Sequence, residues 1–152
     1  MYRNSQLTAM RAASIIRRLG FGLVIYLASC AQPGWHEGQW RIVSAKFPGI
    51  SALGVDDIAP LVGRVGAVSA DSLVFDDMQC DMPVFSELQV QRSAFEFDYR
   101  ITFSDLGFGG ESLSMVRAEC AGSPTHIFST LIQNNGRTYS IWEGAFILLE
   151  RR

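Results

Sequence analysis

Short runs in which apolar and polar residues alternate dominate the chain after residue 39. Alternation over about four to eight residues is typical of a half-buried β-strand. Turns rich in Gly, Pro and Asn separate the runs, and Asn135-Gly136 is a strong hairpin signal because both residue types tolerate a positive φ. The pattern predicts strands at residues 40–47, 64–69, 72–77, 85–91, 113–120, 127–133, 137–142 and 145–150.

Two stretches depart from this alternation. Residues 56–63 predict a short helix, because Asp56 suits a helix start and acidic charge favours the positive end of the helix dipole. Residues 93–99 are ambiguous. Their aromatic residues alternate as in a strand, while Ser93 and Glu96 have the spacing of a helix-capping box.

About eight short strands with one or two helical turns between them predict an all-β, mainly antiparallel fold. The hairpin-sized links favour a small up-and-down β-barrel of lipocalin-like or calycin-like type, since closure of a sheet removes its exposed edges. We predict one domain over residues 40–152, preceded by a short tether at residues 30–39.

The first 29 residues have the three parts of an export signal. Four arginines and no acidic residue are followed by an apolar run, residues 19–28, which has about half of the roughly 20 residues needed to span a bilayer. The run ends in Leu27-Ala28-Ser29-Cys30, which resembles the bacterial lipobox. The resemblance implies a lipoprotein-type signal peptide at residues 1–29 and lipidation of Cys30. Ordinary cleavage ahead of Gln32 and a translation start at Met10 are the alternatives.

The lipobox resemblance also predicts where the protein resides. A multiply acylated Cys30 would anchor the chain stably in a membrane. Residue 31 is Ala and not Asp, which by the same resemblance implies the outer membrane. We therefore expect an exported, periplasm-facing protein whose membrane partner is reached through the lipid on Cys30.

Charge narrows the range of partners. Removing residues 1–29 from the 152-residue chain leaves 123 residues with nine basic and fifteen acidic side chains, a net charge of −6 with neutral histidines. Nucleic-acid binding needs a positive surface, and the chain has no basic stripe. The negative balance also disfavours electrostatic adhesion of the domain to anionic lipid.

Two cysteines remain after Cys30. Cys80 and Cys120 meet an oxidising compartment in an exported protein, so we predict a disulfide between them. It would stabilise the fold by roughly 2–4 kcal/mol. A reactive thiol is the weaker interpretation, because the chain has no Cys-x-x-Cys pair and no histidine near either cysteine in sequence.

Few residues suggest catalysis or metal binding. The only histidines are His36, in the predicted tether, and His126, in a turn where we expect it to be solvated. Asp76, Asp77 and Asp81 cluster in sequence but lack the spacing and glycine of a calcium loop. We expect no catalytic residues, no metal and no cofactor, and therefore no enzyme.

The end of the chain carries a second resemblance. Cys80 with Pro83, the Trp142–Gly144 turn and the final strand are similar to features of a group of small exported proteobacterial proteins. This resemblance implies no active site. Periplasmic lysozyme and protease inhibitors share the expected architecture, but none of their inhibitory motifs is present.

A rigid barrel with projecting loops predicts a binding or inhibitor module for a protein or glycan of the cell envelope. The predicted loops at residues 76–84 and 104–112 are its expected surfaces. The alternatives are a carrier of a small apolar ligand inside the barrel and a structural envelope protein. The candidate binding residues are Asp76, Asp77, Asp81, Phe108 and Glu111.

Overall fold

Nine antiparallel strands make up the described part of the chain. The structure is a computed structural model that describes residues 32–49, 51–122 and 126–152. The predicted signal peptide and Cys30 lie outside these residues. The strands are β1 Gly38–Lys46, β2 Val65–Val68, β3 Ser72–Phe75, β4 Met78–Asp81, β5 Val84–Gln91, β6 Ser112–Glu119, β7 Thr130–Asn134, β8 Arg137–Trp142 and β9 Ala145–Arg151. The helices are α1 Val55–Ile58, α2 Arg92–Tyr99 and α3 Phe103–Leu106, and a 3₁₀ turn spans Ala59–Leu61.

The strands form one sheet in the order β4-β3-β2-β1-β9-β8-β7-β6-β5. Strands adjacent in sequence pair with each other, except β4 with β5, and the first and last strands also pair. This is the arrangement of an up-and-down barrel that is open between β4 and β5. The predicted small, mainly antiparallel, barrel-like all-β fold with short helices is confirmed.

Local turn chemistry explains the C-terminal hairpins. Asn135 and Gly136 have φ values of 49° and 75°, and Glu143 and Gly144 have values of 49° and 82°. Two successive positive φ angles match a two-residue turn to the twist of the flanking strands. Both hairpins were predicted at these positions.

The sheet buries apolar side chains on both faces. One face encloses an inner core to which β3, β4 and β6 all contribute, so the sheet curls around it. The other face, over β6–β9, packs against α2 and α3 in an outer core. Residues 145–149 of β9 alternate between the two cores, which explains why this strand is a continuous apolar run.

Two aromatic side chains pack against each other in the inner core. The rings of Phe75 and Phe128 meet edge to face with centroids 5.7 Å apart, and both side chains are fully buried. Phe128 lies directly over Gly66, where an added Cβ would come within 2.4 Å of the ring and 2.6 Å of the Val74 carbonyl oxygen. Gly66 is therefore required for space.

Helix α2 resolves the ambiguity at residues 93–99 in favour of a helix. Phe95 is buried in the outer core, whereas Phe97 is exposed. The Ser93–Glu96 capping box does not form, because the helix begins after Gln91. Instead the Glu96 carboxylate accepts a hydrogen bond of 2.8 Å from the Phe103 amide, and this bond lowers the pKa of Glu96.

Two predicted loops contain regular structure. Residues 103–106, which overlap the start of the predicted 104–112 loop, form α3, and Thr102 and Asp105 cap this helix reciprocally. Residues 78–81, predicted as part of a loop, form β4 and pair with β3. Neither segment has clear apolar alternation. The Thr102–Asp105 spacing is a local capping signal for α3, whereas β4 is defined by its pairing with β3.

The predicted disulfide between Cys80 and Cys120 is present, with a Cα–Cα distance of 5.7 Å. Cys80 lies on β4, at one end of the strand order. Cys120 follows β6, the neighbour of the strand at the other end. The bond therefore connects β4, at one end of the curled sheet, to the chain just after β6, one strand in from the other end.

Candidate functional site

The predicted loop at residues 76–84 is partly a strand, but its acidic residues remain at the surface. Asp76 occupies the β3–β4 turn, with a φ of 54°, and pairs with Arg64 at 2.8 Å. Asp77 is the exposed second residue of this turn. Asp81 is exposed at the end of β4 and accepts a hydrogen bond from the Gln79 amide nitrogen at 2.7 Å.

Residues 104–112 were the second predicted binding surface. The prediction that Phe108 contributes to this surface is wrong. Only 7% of this residue is exposed, because its ring packs against Phe103 and Tyr139 with centroids 5.7 and 5.6 Å away. Asn134 fixes the following backbone through hydrogen bonds to both main-chain groups of Gly109. Glu111 is exposed as predicted.

Strand β5 lies at one end of the strand order, so within the described ranges one of its edges pairs with no other strand, and we call this its free edge. Its residues pair in one unbroken register with β6, and the Arg92 amide continues the ladder by donating to the Glu111 carbonyl at 2.8 Å. In an antiparallel ladder, alternate residues direct their N–H and C=O groups to opposite sides. Because Arg92 bonds to the β6 side, the other even-numbered residues of β5 also direct their main-chain groups to β6. The main-chain groups of Phe85, Glu87 and Gln89 therefore point away from the sheet.

Strand β4, at the other end of the strand order, likewise has one edge that no described strand pairs with. The Met82 amide donates to the Asp71 carbonyl at 2.8 Å, which places the even-numbered residues of β4 in the ladder with β3. Gln79 and Asp81 then direct their main-chain groups outward. Before residue 83, the main-chain N–H and C=O groups of the even-numbered residues thus point towards β3. After residue 83, those of the even-numbered residues point towards β6.

The reversal occurs at Met82-Pro83, where Met82 has a φ of 50°. Pro83 is buried and donates no main-chain hydrogen bond. Met82 and Val84 on either side of it are 74% and 67% exposed. The break between the two free edges is therefore flanked by two exposed apolar side chains.

A turn at residues 34–37 packs against β5. The Trp35 indole nitrogen donates to a Glu87 carboxylate oxygen at 2.7 Å, and the His36 ring lies 4.8 Å from the ring of Phe85. The Nδ1 atom of His36 is buried and has no hydrogen-bond partner among the described residues. Burial lowers the pKa of His36, against the opposing effect of Glu37 and Glu87.

This turn lies within the segment predicted as a tether. Trp35 and His36 pack against the domain, and β1 begins at Gly38. Two large aromatic side chains in a short stretch rich in Gly and Pro were the available sequence signal for this packing.

The prediction that His126 is solvated is wrong. Its side chain is buried, Nδ1 accepts a hydrogen bond from the Phe128 amide at 3.1 Å, and Nε2 lies 3.1 Å from the Met78 carbonyl oxygen. These contacts define a neutral ring whose proton is on Nε2. Burial lowers the pKa of His126, which preserves this state.

The described residues contain neither a metal-binding cluster nor a helix that could span a membrane. Within residues 32–49, 51–122 and 126–152, no group of three His, Cys, Asp or Glu side chains converges as metal ligands would. Over the same ranges, no helix combines the length and apolarity needed to cross a membrane.

These observations define a disulfide-bonded, up-and-down antiparallel domain with a free strand edge. No protein family, curated protein or solved structure matches the chain.

Proposed function

We propose that this protein is a lipid-anchored envelope module that captures an extended segment of a partner protein as an additional strand on β5. The observation that carries the proposal is the outer edge of β5, where the main-chain groups of Phe85, Glu87 and Gln89 point away from the sheet and pair with no strand among the described residues. The lipobox-like residues 27–30 support Cys30 as the lipid anchor.

Strand addition divides affinity and specificity between two kinds of contact. Main-chain hydrogen bonds to the edge supply affinity, and alternate side chains of the added segment supply specificity. Met82 and Val84 offer apolar contacts at one end of the edge. Glu87 and Asp81 favour a partner segment with basic residues.

Two other functions receive less support. Phe75 and Phe128 are fully buried and pack edge to face in the inner core, and a ligand held between them would have to displace them, which argues against a carrier that binds at that place. A glycan partner would make less use of a row of main-chain donors and acceptors. We assign no catalytic step to the protein.

A proline substitution at Gln89 tests the edge directly. Proline lacks the N–H group and is tolerated on edge strands where that group faces solvent. Gln89→Ala is the matched control, because both variants lose the 2.7 Å hydrogen bond to Ser114 and only the proline removes the outward amide. Ser86→Pro removes an amide that faces β6 and should lower the melting temperature strongly.

The readout is crosslinking in intact cells, followed by isolation of the full-length protein and mass spectrometry of the attached protein. We expect wild type and Gln89→Ala to retain the same crosslinked protein and Gln89→Pro to lose it at an unchanged melting temperature. Retention of that crosslink by folded Gln89→Pro, or a wild type that crosslinks only to glycan, would refute the proposal.

The anchor has its own test. The intact mass of membrane-derived protein should equal that of residues 30–152 plus acyl chains, and reduction should add two hydrogens for the disulfide. A lipid-free mass that begins at Gln32 would contradict the anchor and leave the strand-addition proposal standing.

A further inference from the structure

The turn at residues 34–37 connects two distant parts of the sheet. It leads into β1, and Arg151 of β9 donates to its main-chain oxygens at Trp35 and Glu37. On its other side, Trp35 and His36 pack against β5, which lies four positions from β9 in the strand order. Trp35 also packs against the inner core. The turn therefore bridges β9 and β5 across the inner face of the curled sheet.

The two sides of this bridge are held unequally. On the side of β1 and β9, the turn has both Arg151 bonds, at 2.6 and 2.8 Å, and the Trp40 indole donates to its His36 carbonyl oxygen at 2.8 Å. The Arg151 guanidinium also stacks on the Trp40 ring at 4.8 Å. On the β5 side, the described part of the chain offers one exposed hydrogen bond, from Trp35 to Glu87, and one ring contact of His36. Release should therefore begin at β5.

The turn occupies space that an added strand would need. Phe85 and Glu87 are alternate residues of β5 and lie on one face of the sheet, which the packing of Phe85 identifies as the inner face. Side chains directly opposite each other on adjacent strands have Cβ atoms only about 5 Å apart. A partner segment on β5 would thus place its inward side chains beside these two residues, where Trp35 and His36 already pack.

The His36 ring is enclosed by its neighbours. It lies 4.8 Å from the Phe85 ring, meets the Trp35 ring edge to face at 5.8 Å and covers Gly34, where an added Cβ would come within 2.4 Å of it. Only 9% of the residue is exposed, and its Nδ1 atom has no hydrogen-bond partner among the described residues. Departure of this ring would also remove a neighbour from Trp35, so the two side chains should leave β5 together.

Protonation disfavours this enclosed position of the ring. It places a hydrogen on both ring nitrogens and adds a positive charge, and Nδ1 then needs an acceptor that no described residue provides. In the described part of the chain, the charged groups that face His36 are Glu37 of the turn, Glu87 of β5 and Arg151 of β9. Burial lowers the pKa of His36 below its ordinary 6.5 and outweighs both carboxylates. Acid therefore favours a state in which the ring reaches water.

We propose that Trp35 and His36 form an acid-released latch on β5. Protonation of His36 frees both side chains from this strand, while the main-chain bonds to Arg151 and Trp40 keep the turn in place. The freed inner face of β5 then accepts the side chains of a partner segment. The release is a property of this chain alone, whereas its effect on the partner rests on the proposed strand addition.

Exchange of the indole N–H protons with water, followed by NMR in mild detergent, measures the release in the full-length protein. Both reporter protons are hydrogen-bonded, that of Trp35 to Glu87 and that of Trp40 to the His36 carbonyl. Protection is taken relative to free indole at the same pH. Between pH 7.5 and pH 5.5, protection at Trp35 should fall by at least about threefold. The upper limit is about tenfold, because one group with an ordinary pKa of 6.5 is protonated over this range.

The Trp40 proton is the internal control. Its bond belongs to the side of the turn that stays in place, so its protection should not change with pH. Unchanged protection at Trp35, or an equal loss at Trp40, would overturn the proposal.

Substitution of each histidine identifies the titrating group. His36→Phe keeps a ring at the contact and removes the titration, so protection at Trp35 should no longer fall in acid. His126→Asn removes the other buried histidine and should leave the fall intact. A fall that persists in His36→Phe, or one that disappears in folded His126→Asn, would refute the role of His36.

A substitution at Gly34 should open the latch without acid. The new methyl group of Gly34→Ala overlaps the His36 ring, whereas the Cβ of Gly54→Ala would lie 3.8 Å from the nearest group, the Asp57 carboxylate. At pH 7.5, Gly34→Ala should therefore lose protection at Trp35, and Gly54→Ala should keep it. Full protection in folded Gly34→Ala would refute the packing that forms the latch.

The crosslinking assay in intact cells tests the effect on the partner. Gly34→Ala should raise the yield of the crosslinked protein that Gln89→Pro loses, and Gly54→Ala should leave this yield unchanged. An unchanged yield in Gly34→Ala would refute control of the edge by the latch. Failure of strand addition would show as retention of the crosslink by Gln89→Pro, with protection at Trp35 still falling in acid, so the two failures are distinguishable.

Discussion

Removing the disulfide should loosen the junction between β4 and β6. Cys80 is buried in the inner core, and the bond to Cys120 connects β4, at one end of the strand order, to the chain just after β6. Two perturbations are available. Reduction keeps both sulfur atoms in place, whereas Cys80→Ala/Cys120→Ala also removes their volume from the core.

The separation of the two cysteines sets the expected magnitude. They are 40 residues apart. The entropy of closing a loop of this length in the unfolded chain corresponds to about 4 kcal/mol at 25 °C. We therefore expect the free energy of unfolding to fall by about 4 kcal/mol on reduction, and by somewhat more in the alanine variant because a small cavity is added.

Urea unfolding of the oxidised, reduced and alanine-substituted proteins measures this difference. The slope of free energy against urea should also increase without the bond, because the unfolded chain then exposes more surface. A loss below about 1 kcal/mol with an unchanged slope would refute the reasoning. It would mean that the unfolded chain holds these residues together without the bond.

Three further predictions concern stability. Burial lowers the pKa of His36 and His126 below the ordinary 6.5, so the unfolded chain binds more protons than the folded protein as pH falls through that value. The free energy of unfolding should therefore decrease from pH 7.5 to pH 5.5, and His126→Asn should reduce this dependence in urea titrations at both pH values. Gly66→Ala should destabilise the fold by about 1–3 kcal/mol, since the new methyl group overlaps the Phe128 ring, and a thermal melt as stable as wild type would contradict that contact. Asn134→Ala removes three hydrogen bonds to the 109–112 segment and should cost about 1–3 kcal/mol, with faster amide exchange at Gly109 as the local signature.

Most of the candidate site could not be predicted from the sequence. The acidic residues Asp76, Asp77 and Asp81 are exposed as expected, but Phe108 is buried beneath the chain segment that was predicted to present it. The free edge of β5 depends on which strands pair with β4 and β5. The sequence of a strand does not indicate which strand, distant along the chain, will pair with it.

The placement of charged side chains was hidden for the same reason. Net charge describes the whole chain, and a value of −6 after residue 29 says nothing about where the nine basic residues gather. The pairing of β1 with β9 brings Arg41 opposite Glu150, with which it forms a 2.7 Å ion pair, although 109 residues separate them.

Sequence by itself determined the features that depend on neighbouring residues. The turns at Asn135-Gly136 and Glu143-Gly144 follow from positive φ angles, and eight of the nine strands follow largely from apolar alternation or apolar runs. Elimination among three cysteines identified the disulfide. Only the tertiary structure decided the helical state of residues 92–99, the burial of both histidines and the free edge of β5. In each case the deciding energy is packing or pairing with residues far away in the chain, which no local pattern records.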